Sequence, residues 1–284
     1  MVVSPVPDSI SIQSHRGTYE ARFTPDLLND PSVLLEGEPH FIIDSNIARL
    51  YSKQLHSILA HPNVILVDAT EQNKSLDSAS QIITSLVAQK TRRNHHLVAI
   101  GGGIIQDLVC FIASTLLRGV SWQLVPTTLL AQADSCIGSK SSINVGDAKN
   151  IVGTFYPPTK IYIDQNFLRT LHQNEIHSGI GEILKVHAME STESFNRVAS
   201  SLDAITKDLD ALQPFIYSAL SIKKQFIEID EFDEGIRNIF NFGHSFGHAI
   251  ESATNFGIPH GVAVTMGMDV ACQIAASRNL LPVS

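Results

Sequence analysis

HLVAIGGGIIQDLVCFIASTLL, residues 96–117, drives a short apolar run straight into three glycines and then a long apolar stretch. The first five residues have strand character, and the run after the glycines has the length and 3–4 spacing of a helix. A strand that turns on glycine into a helix is the unit of an open α/β sheet. Working outward, HFIID (40–44) and NVILVD (63–68) read as strands. Helix patterns follow them in SNIARLYSKQLHSIL (45–59) and SASQIITSLVAQ (78–89), and WQLVPTTLL (122–130) and KIYIDQNFL (160–168) add two strand-like segments. Alternation of this kind predicts parallel pairing. The glycines permit a tight turn and close backbone approach, and a helix N-terminus offers free N–H groups to a phosphate. GGGIIQD does not have the GxGxxG spacing, so a nucleotide-binding turn and a plain strand–helix connection both stay open.

Composition narrows the classes. The chain has 284 residues, 44% hydrophobic and 17% charged, enough for one large domain or two ordinary ones with a substantial core. Lys plus Arg is 20 against 28 for Asp plus Glu, a net charge of −8, and the densest basic stretch is KTRRN (90–94). That argues against nucleic acid as partner but leaves room for an anionic substrate held by a few buried cations. No apolar run approaches the ~20 residues of a membrane span, and MVVSPVPDSI lacks the form of a secretory signal. Cys110, Cys136 and Cys272 are odd in number and far apart, which fits a reducing, cytoplasmic setting.

From about Asn174 the pattern becomes helical. EIHSGIGEILKVHAMES (175–191), DLDALQPFIYSALSIKKQFIEI (208–229) and IRNIFNFGHSFGHAIESAT (236–254) all have helical length and spacing. We therefore expect an α/β unit over 1–173 and an all-α unit over 174–284. GVAVTMGMDVACQIAASRNLLPVS (261–284) reads as a last helix ending near Asn279, and a helical unit that stops there is expected to be truncated at its C-terminus.

Polar residues interrupt these patterns at a few places. Glu71 and Lys74 follow the second strand, where they could meet ribose hydroxyls or simply line a solvated loop. QADSCIGSKSSINVGDAKN (132–150) reads as a long polar loop carrying Asp134, Lys140, Lys149 and Asn150, either a phosphate or carboxylate clamp or a flexible surface segment. Glu182 and Lys185 stand at i,i+3 among Ile180, Ile183 and Leu184, so the carboxylate is a candidate metal ligand rather than a surface ion-pair partner. On a continuous helix, Arg237, Asn241, His244 and His248 share one face, which is costly unless they line a cavity. His244 and His248 alone half-fill a tetrahedral site. Glu182, His244 and His260 together would make a two-histidine, one-carboxylate site with an open position.

The segments 101–140, KNIVGTFYPP (149–158), GIGEILK (179–185), NFGHSFGHAIE (241–251) and HGVAVTMGM (260–268) resemble, in order and spacing, the 3-dehydroquinate synthases and related sugar-phosphate cyclases. The resemblance runs from about residue 40 to 280. It implies an N-terminal α/β NAD-binding domain with a parallel sheet, an all-α metal-binding domain, an active site between them and a homodimer. The implied metal ligands are Glu182, His244 and His260, for Zn2+ or Co2+, with His248 as an acid–base group beside the substrate. NAD would contact Asp44, Asn46, Glu71, Lys74, Gly102, Gly103, Asp107, Thr127, Thr128 and Thr170, with Lys149 near the nicotinamide. Lys140 is counted with both the NAD and the substrate contacts. Substrate would also meet Asp134, Asn150, Lys185, Arg237 and Asn241, and Arg118 would reach the substrate phosphate in the neighbouring subunit.

The implied reaction converts 3-deoxy-D-arabino-heptulosonate 7-phosphate to 3-dehydroquinate and phosphate. It proceeds by transient oxidation with NAD, phosphate elimination, re-reduction and internal aldol closure. The chain departs from the family pattern at Gly138-Ser139-Lys140 (family GGK), at NVGDAKN (family HPxGKN), at His260-Gly261-Val262 (family HGE) and at Asp233 (family Glu). It also lacks the several tens of residues with which members usually continue. Three alternatives follow: a cyclase of sedoheptulose 7-phosphate or glucose 6-phosphate, a metal-dependent polyol dehydrogenase, or a shortened relative without catalysis.

Overall fold

The computed structural model describes residues 6–255 and 257–280. Nine strands form among them: β1 (Ser9–Ser14), β2 (Gly17–Phe23), β3 (Pro39–Asp44), β4 (Val64–Val67), β5 (His96–Gly101), β6 (Ser121–Pro126), β7 (Lys140–Val145), β8 (Ala148–Phe155) and β9 (Lys160–Ile163). Seven make one sheet in the order β1-β2-β9-β6-β5-β3-β4, parallel throughout except for the antiparallel β1–β2 hairpin at its edge. The central strands β3 and β5 are nearly continuous apolar runs because helices cover both faces. Phe41, Ile42 and Ile43 of β3, for example, are fully buried although they point to alternate sides.

The helices of this half are α1 (Ser45–Leu50), α2 (His56–Leu59), α3 (Leu76–Ala88) and α4 (Gly103–Thr115). A second layer holds α5 (Gln173–Glu190), α6 (Thr192–Ala199), α7 (Leu202–Ile205), α8 (Gln213–Ile229), α9 (His244–Ala253) and α10 (His260–Ser277). The architecture is thus an α/β sheet domain followed by a helical one. One apolar cluster runs from Ile10 and Ile12 on the edge hairpin through α4 to Ile216, Leu220 and Ile227 on α8, so the two layers share a core.

Four sequence expectations change. The edge hairpin was not anticipated: SISIQS alternates with only Ile10 and Ile12 buried, a weak period-2 signal in a short segment. The helix expected over 45–59 is two short helices, separated where Tyr51 turns inward and gives its hydroxyl to the carbonyls of Asn166 and Phe167. The expected loop over 132–150 is a wide helical turn (Ala131–Ser135) and then the β7–β8 hairpin, whose inward positions Ser141 and Ile143 alternate with less buried neighbours.

The fourth change bears on the site. The helix expected over 236–254 is a tight 3-10 segment (Ile236–Asn241) and then α9, broken by Gly243 at φ 81°. A Cβ on Gly243 would stand 2.6 Å from Met268 Cγ and from the Val264 carbonyl oxygen, so α10 forces both the glycine and the break. Arg237 and Asn241 therefore do not share a stripe with His244 and His248.

Candidate active site in the interlayer cleft

Five of the chain's polar turns leave the carboxyl ends of adjacent parallel strands, the edge where open α/β sheets bind ligands. Asp44 ends β3, Glu71 and Lys74 follow β4, Gly102 and Gly103 follow β5, Thr127 and Thr128 follow β6, and Thr170 lies after β9. Gly102 caps α4 with no side-chain partner, and a Cβ on Gly103 would meet nothing within 4 Å. The first turn of α4 thus presents open backbone N–H groups, the arrangement that takes a pyrophosphate. A side chain at Gly102 would come within 2.8 Å of Thr128 Cγ2, so that turn packs against the one after β6.

The other members of this edge bond to each other. Lys74 Nζ donates to Asn150 Oδ1 (2.6 Å) and pairs with Asp107 Oδ2 (3.3 Å). Asn144 Nδ2 donates to Glu71 Oε1 (2.9 Å), and its Oδ1 accepts from the Asn150 N–H (2.9 Å). Asn150 sits at φ 55° in β8, a conformation asparagine tolerates. Burial pushes the Asp107 carboxyl up to about 6 against the opposing pull of Lys74. Asp44 caps α1 by accepting from the Asn46 N–H (2.9 Å), Asn46 Oδ1 accepts from Arg49, and Thr170 Oγ1 meets the Tyr51 hydroxyl (2.9 Å). Lys149 is exposed on β8.

Across the cleft, α5 and α10 touch through glycine. A Cβ on Gly181 would strike the Gly261 carbonyl, and one on Gly261 the Ser178 carbonyl, so the two backbones lie in direct contact. That approach sets Glu182 of α5 beside His260 of α10. The Glu182 side chain is only 2% exposed; Lys185 donates to its Oε2, while Oε1 is buried with no hydrogen-bond partner. His260 Nε2 stands 3.6 Å from that oxygen, and His244, first residue of α9, lies ring to ring with His260 at 5.3 Å. One ligand atom from each of Glu182, His244 and His260 falls within 4.8 Å of the others. A buried, unsatisfied carboxylate oxygen facing two imidazoles fits a borderline divalent ion such as zinc or cobalt. Burial, then the Lys185 charge, depresses the His244 pKa, which favours the neutral, ligating form.

Beside the sheet edge, among α4, β7 and α8, lies a cavity of about 210 Å³, lined by Asp107, Lys140, Ser142, Lys223 and Arg237 among others. Lys223 Nζ donates to the Asp134 carbonyl (2.6 Å) and stands 3.0 Å from its Oδ1. Burial alone would raise the Asp134 pKa; Lys185 and Lys223 outweigh it and hold the carboxyl well below its usual range. Asp134 and Glu182 in turn outweigh burial at Lys185 and keep that amine charged. At Lys223 burial wins, with Arg237 and Lys185 adding to it, and the pKa falls. Arg237 is buried, with Nη1 donating to the Glu231 carbonyl (2.7 Å), and Lys140 Nζ pairs with Asp233 Oδ2 (2.8 Å). A larger cavity, about 360 Å³ between Arg16, Arg93 and Tyr156, contains none of the residues expected to act.

The 3-dehydroquinate synthase N-terminal family matches residues 64–178, and the 3-dehydroquinate synthase C-terminal family matches residues 179–284. A 3-dehydroquinate synthase of Enterococcus faecalis is 40% identical over 247 residues, covering 85% of this chain and 69% of the relative. This chain belongs to the 3-dehydroquinate synthase family. Among solved structures, 2-epi-5-epi-valiolone synthase from Streptomyces hygroscopicus, with NAD+ and Zn2+ bound, superposes at a TM-score of 0.83. It is 28% identical, over 92% of this chain and 76% of that one. A 2-deoxy-scyllo-inosose synthase complexed with carbaglucose-6-phosphate, NAD+ and Co2+ also gives 0.83, at 26% identity over 96% of this chain and 77% of that one.

In this family member, one of the expected residues stands apart. Arg118 is exposed at φ 64° just beyond the far end of α4, roughly 20 Å along the helix from Gly103. Asn241 is exposed and bonds to Asn238. His248 is exposed on α9, its ring 5.4 Å from that of His244. Three residues of the site escaped the sequence reading: Lys223, Asn144 and Glu251, whose Oε1 faces His260 Nδ1 at 3.2 Å. Lys223 did leave a signal, since with Ile216, Leu220 and Ile227 it occupies the buried stripe of α8 at 3–4 spacing.

Proposed function

We propose that this chain is a 3-dehydroquinate synthase, an NAD- and metal-dependent phosphate lyase that converts 3-deoxy-D-arabino-heptulosonate 7-phosphate to 3-dehydroquinate. The observation that carries the reading is the buried Glu182 Oε1, without a hydrogen bond and facing His260 and His244. Glu182, His244 and His260 would hold Zn2+ or Co2+. Gly102 and Gly103, with Asp44, Asn46, Glu71, Lys74, Asp107, Thr127, Thr128, Lys149 and Thr170 around them, would hold NAD. When bound, NAD would take and return one hydride, and the metal would polarise the reacting oxygen.

The protein's own groups hold the substrate and move protons. Lys140 and Arg237, both in the cavity wall, bind the anionic ends, with Asn150 and Asn241 as neutral partners. Lys185, kept charged by Asp134 and Glu182, stabilises negative charge developing on the substrate. His248, exposed at the cleft, exchanges protons with the substrate. We assign 1–173 to NAD binding and 174–284 to metal and substrate binding. We also assign the protein to the cytoplasm as a homodimer in which Arg118 serves the neighbouring copy. Among the described residues no helix is long and apolar enough to cross a membrane.

The test is inorganic phosphate release with NAD+ and Zn2+, offering 3-deoxy-D-arabino-heptulosonate 7-phosphate and sedoheptulose 7-phosphate separately. Chelator-sensitive release from the first alone, without net NADH, is the expected result. Release from the second alone would assign the chain to another cyclase branch, and stoichiometric NADH would mean a dehydrogenase.

A further inference from the structure

His260 points one ring nitrogen each way. Nε2 lies 3.6 Å from Glu182 Oε1, and Nδ1 lies 3.2 Å from Glu251 Oε1. Nearby stands His248, its ring stacked on that of His260 with centroids 5.8 Å apart and 27° from parallel. One ligand atom from each of His248, Glu251 and His260 falls within 4.8 Å of the others. Around a tetrahedral ion with bonds of about 2.0–2.2 Å, neighbouring ligand atoms stand roughly 3.3–3.6 Å apart. Glu251 and His260 are already close to that spacing, and His248, exposed on α9, completes the set by turning toward them. The Glu251 side chain is only 12% exposed, so its carboxylate faces imidazole rather than bulk water.

We propose that His248, Glu251 and His260 Nδ1 form a second, weaker site for a borderline divalent ion, and that filling it withdraws His248 from the substrate. Three features make it the weaker one. It shares an imidazole with Glu182 and His244, so the second ion must displace the Nδ1 proton that otherwise bonds Glu251. It lies beside the first ion, and the two repel. It is also open to solvent through His248. The consequence is inhibition by excess metal: one ion activates, and a second at the same histidine stops turnover. Only that consequence rests on the catalytic reading given above; the binding itself does not.

Equilibrium dialysis of the metal-stripped chain against Co2+, followed by metal analysis and the visible spectrum of the bound ion, tests it. The expected result is two ions per chain, the second bound roughly tenfold or more weakly. His248→Ala and Glu251→Gln should each lose the weak ion and keep the tight one, while Glu182→Gln should lose the tight one. A wild-type titration that saturates at one ion and superimposes on that of His248→Ala overturns the proposal and leaves the first site standing. One ion that is lost in His248→Ala but kept in Glu182→Gln would instead sink the first site and uphold this one. In the phosphate assay, inhibition by excess Zn2+ should move to higher concentration in Glu251→Gln; an unmoved inhibition curve counts against the proposal.

Discussion

Lys223 shows how much a single side chain can carry here. It is buried, bonds the Asp134 carbonyl and carboxylate, and lines the cleft cavity. Lys223→Met keeps most of the volume but strands Asp134, and breaking such a buried pair costs about 3–5 kcal/mol. We expect a lower urea midpoint and a kcat/KM reduced by roughly a hundredfold or more, read from urea titration and phosphate release. His187 makes a different prediction. It is fully buried, with Nδ1 donating to the Ile183 carbonyl (2.7 Å) and Nε2 accepting from the Ser218 hydroxyl (2.6 Å), which satisfies the neutral ring. Burial depresses its pKa from 6.5. A depressed pKa means that its contribution to stability is complete above pH 6.5 and is lost as pH falls through the folded value. The urea midpoint should therefore drop between pH 7.5 and 5.5, and the drop should be smaller in His187→Gln.

At the scale of elements, the edge hairpin matters more than its length implies. Its turn docks on the segment that carries Arg237: Ser14 Oγ and the His15 N–H both donate to the Glu231 carboxylate at 2.7 Å, while the Glu231 carbonyl accepts from Arg237. His15 and Phe232 pack beside this contact, with ring centroids 5.3 Å apart and planes tilted by 46°. Glu231→Ala should raise the KM for the sugar phosphate roughly tenfold and leave NAD and metal affinity unchanged, because the lost bonds tether the segment that carries Arg237. The break before α9 is the second case. Gly243→Ala would force a left-handed residue and a clash with α10, costing at least about 2 kcal/mol and shifting His244. Weaker Co2+ binding together with a lower melting temperature is the expected signature; a lower melting temperature with unchanged Co2+ affinity would detach His244 from the metal.

For the whole molecule, the cleft between sheet edge and helical layer brings together groups from residues 44 to 260, but Arg118 lies outside it. In a homodimer whose sites each borrow Arg118 from the neighbour, Arg118→Ala and His248→Ala chains would each be inactive alone. Mixed after unfolding and refolding, they should recover roughly a quarter of wild-type activity, since half the dimers are mixed and each has one intact site. No recovery, despite mixed dimers by mass, would place Arg118 outside the neighbour's site.

By itself the sequence determined the parallel sheet, because strand and helix periods are local and HLVAIGGG can hardly be read otherwise. It also held the carboxylate and two imidazoles, Glu182, His244 and His260, that we propose as metal ligands, and the helical character of the second half. Tertiary structure decided what depends on a neighbour. Gly243 breaks the helix because a Cβ there would stand 2.6 Å from atoms of α10, and Lys223 faces a cleft rather than solvent because Asp134 is brought opposite. The β7–β8 hairpin turns Asn144 onto Glu71 because the sheet edge lies beneath it. Whether a carboxylate oxygen such as Glu182 Oε1 keeps a partner is decided in the same way, by which backbones can touch. Here two glycines on α5 and α10 let them.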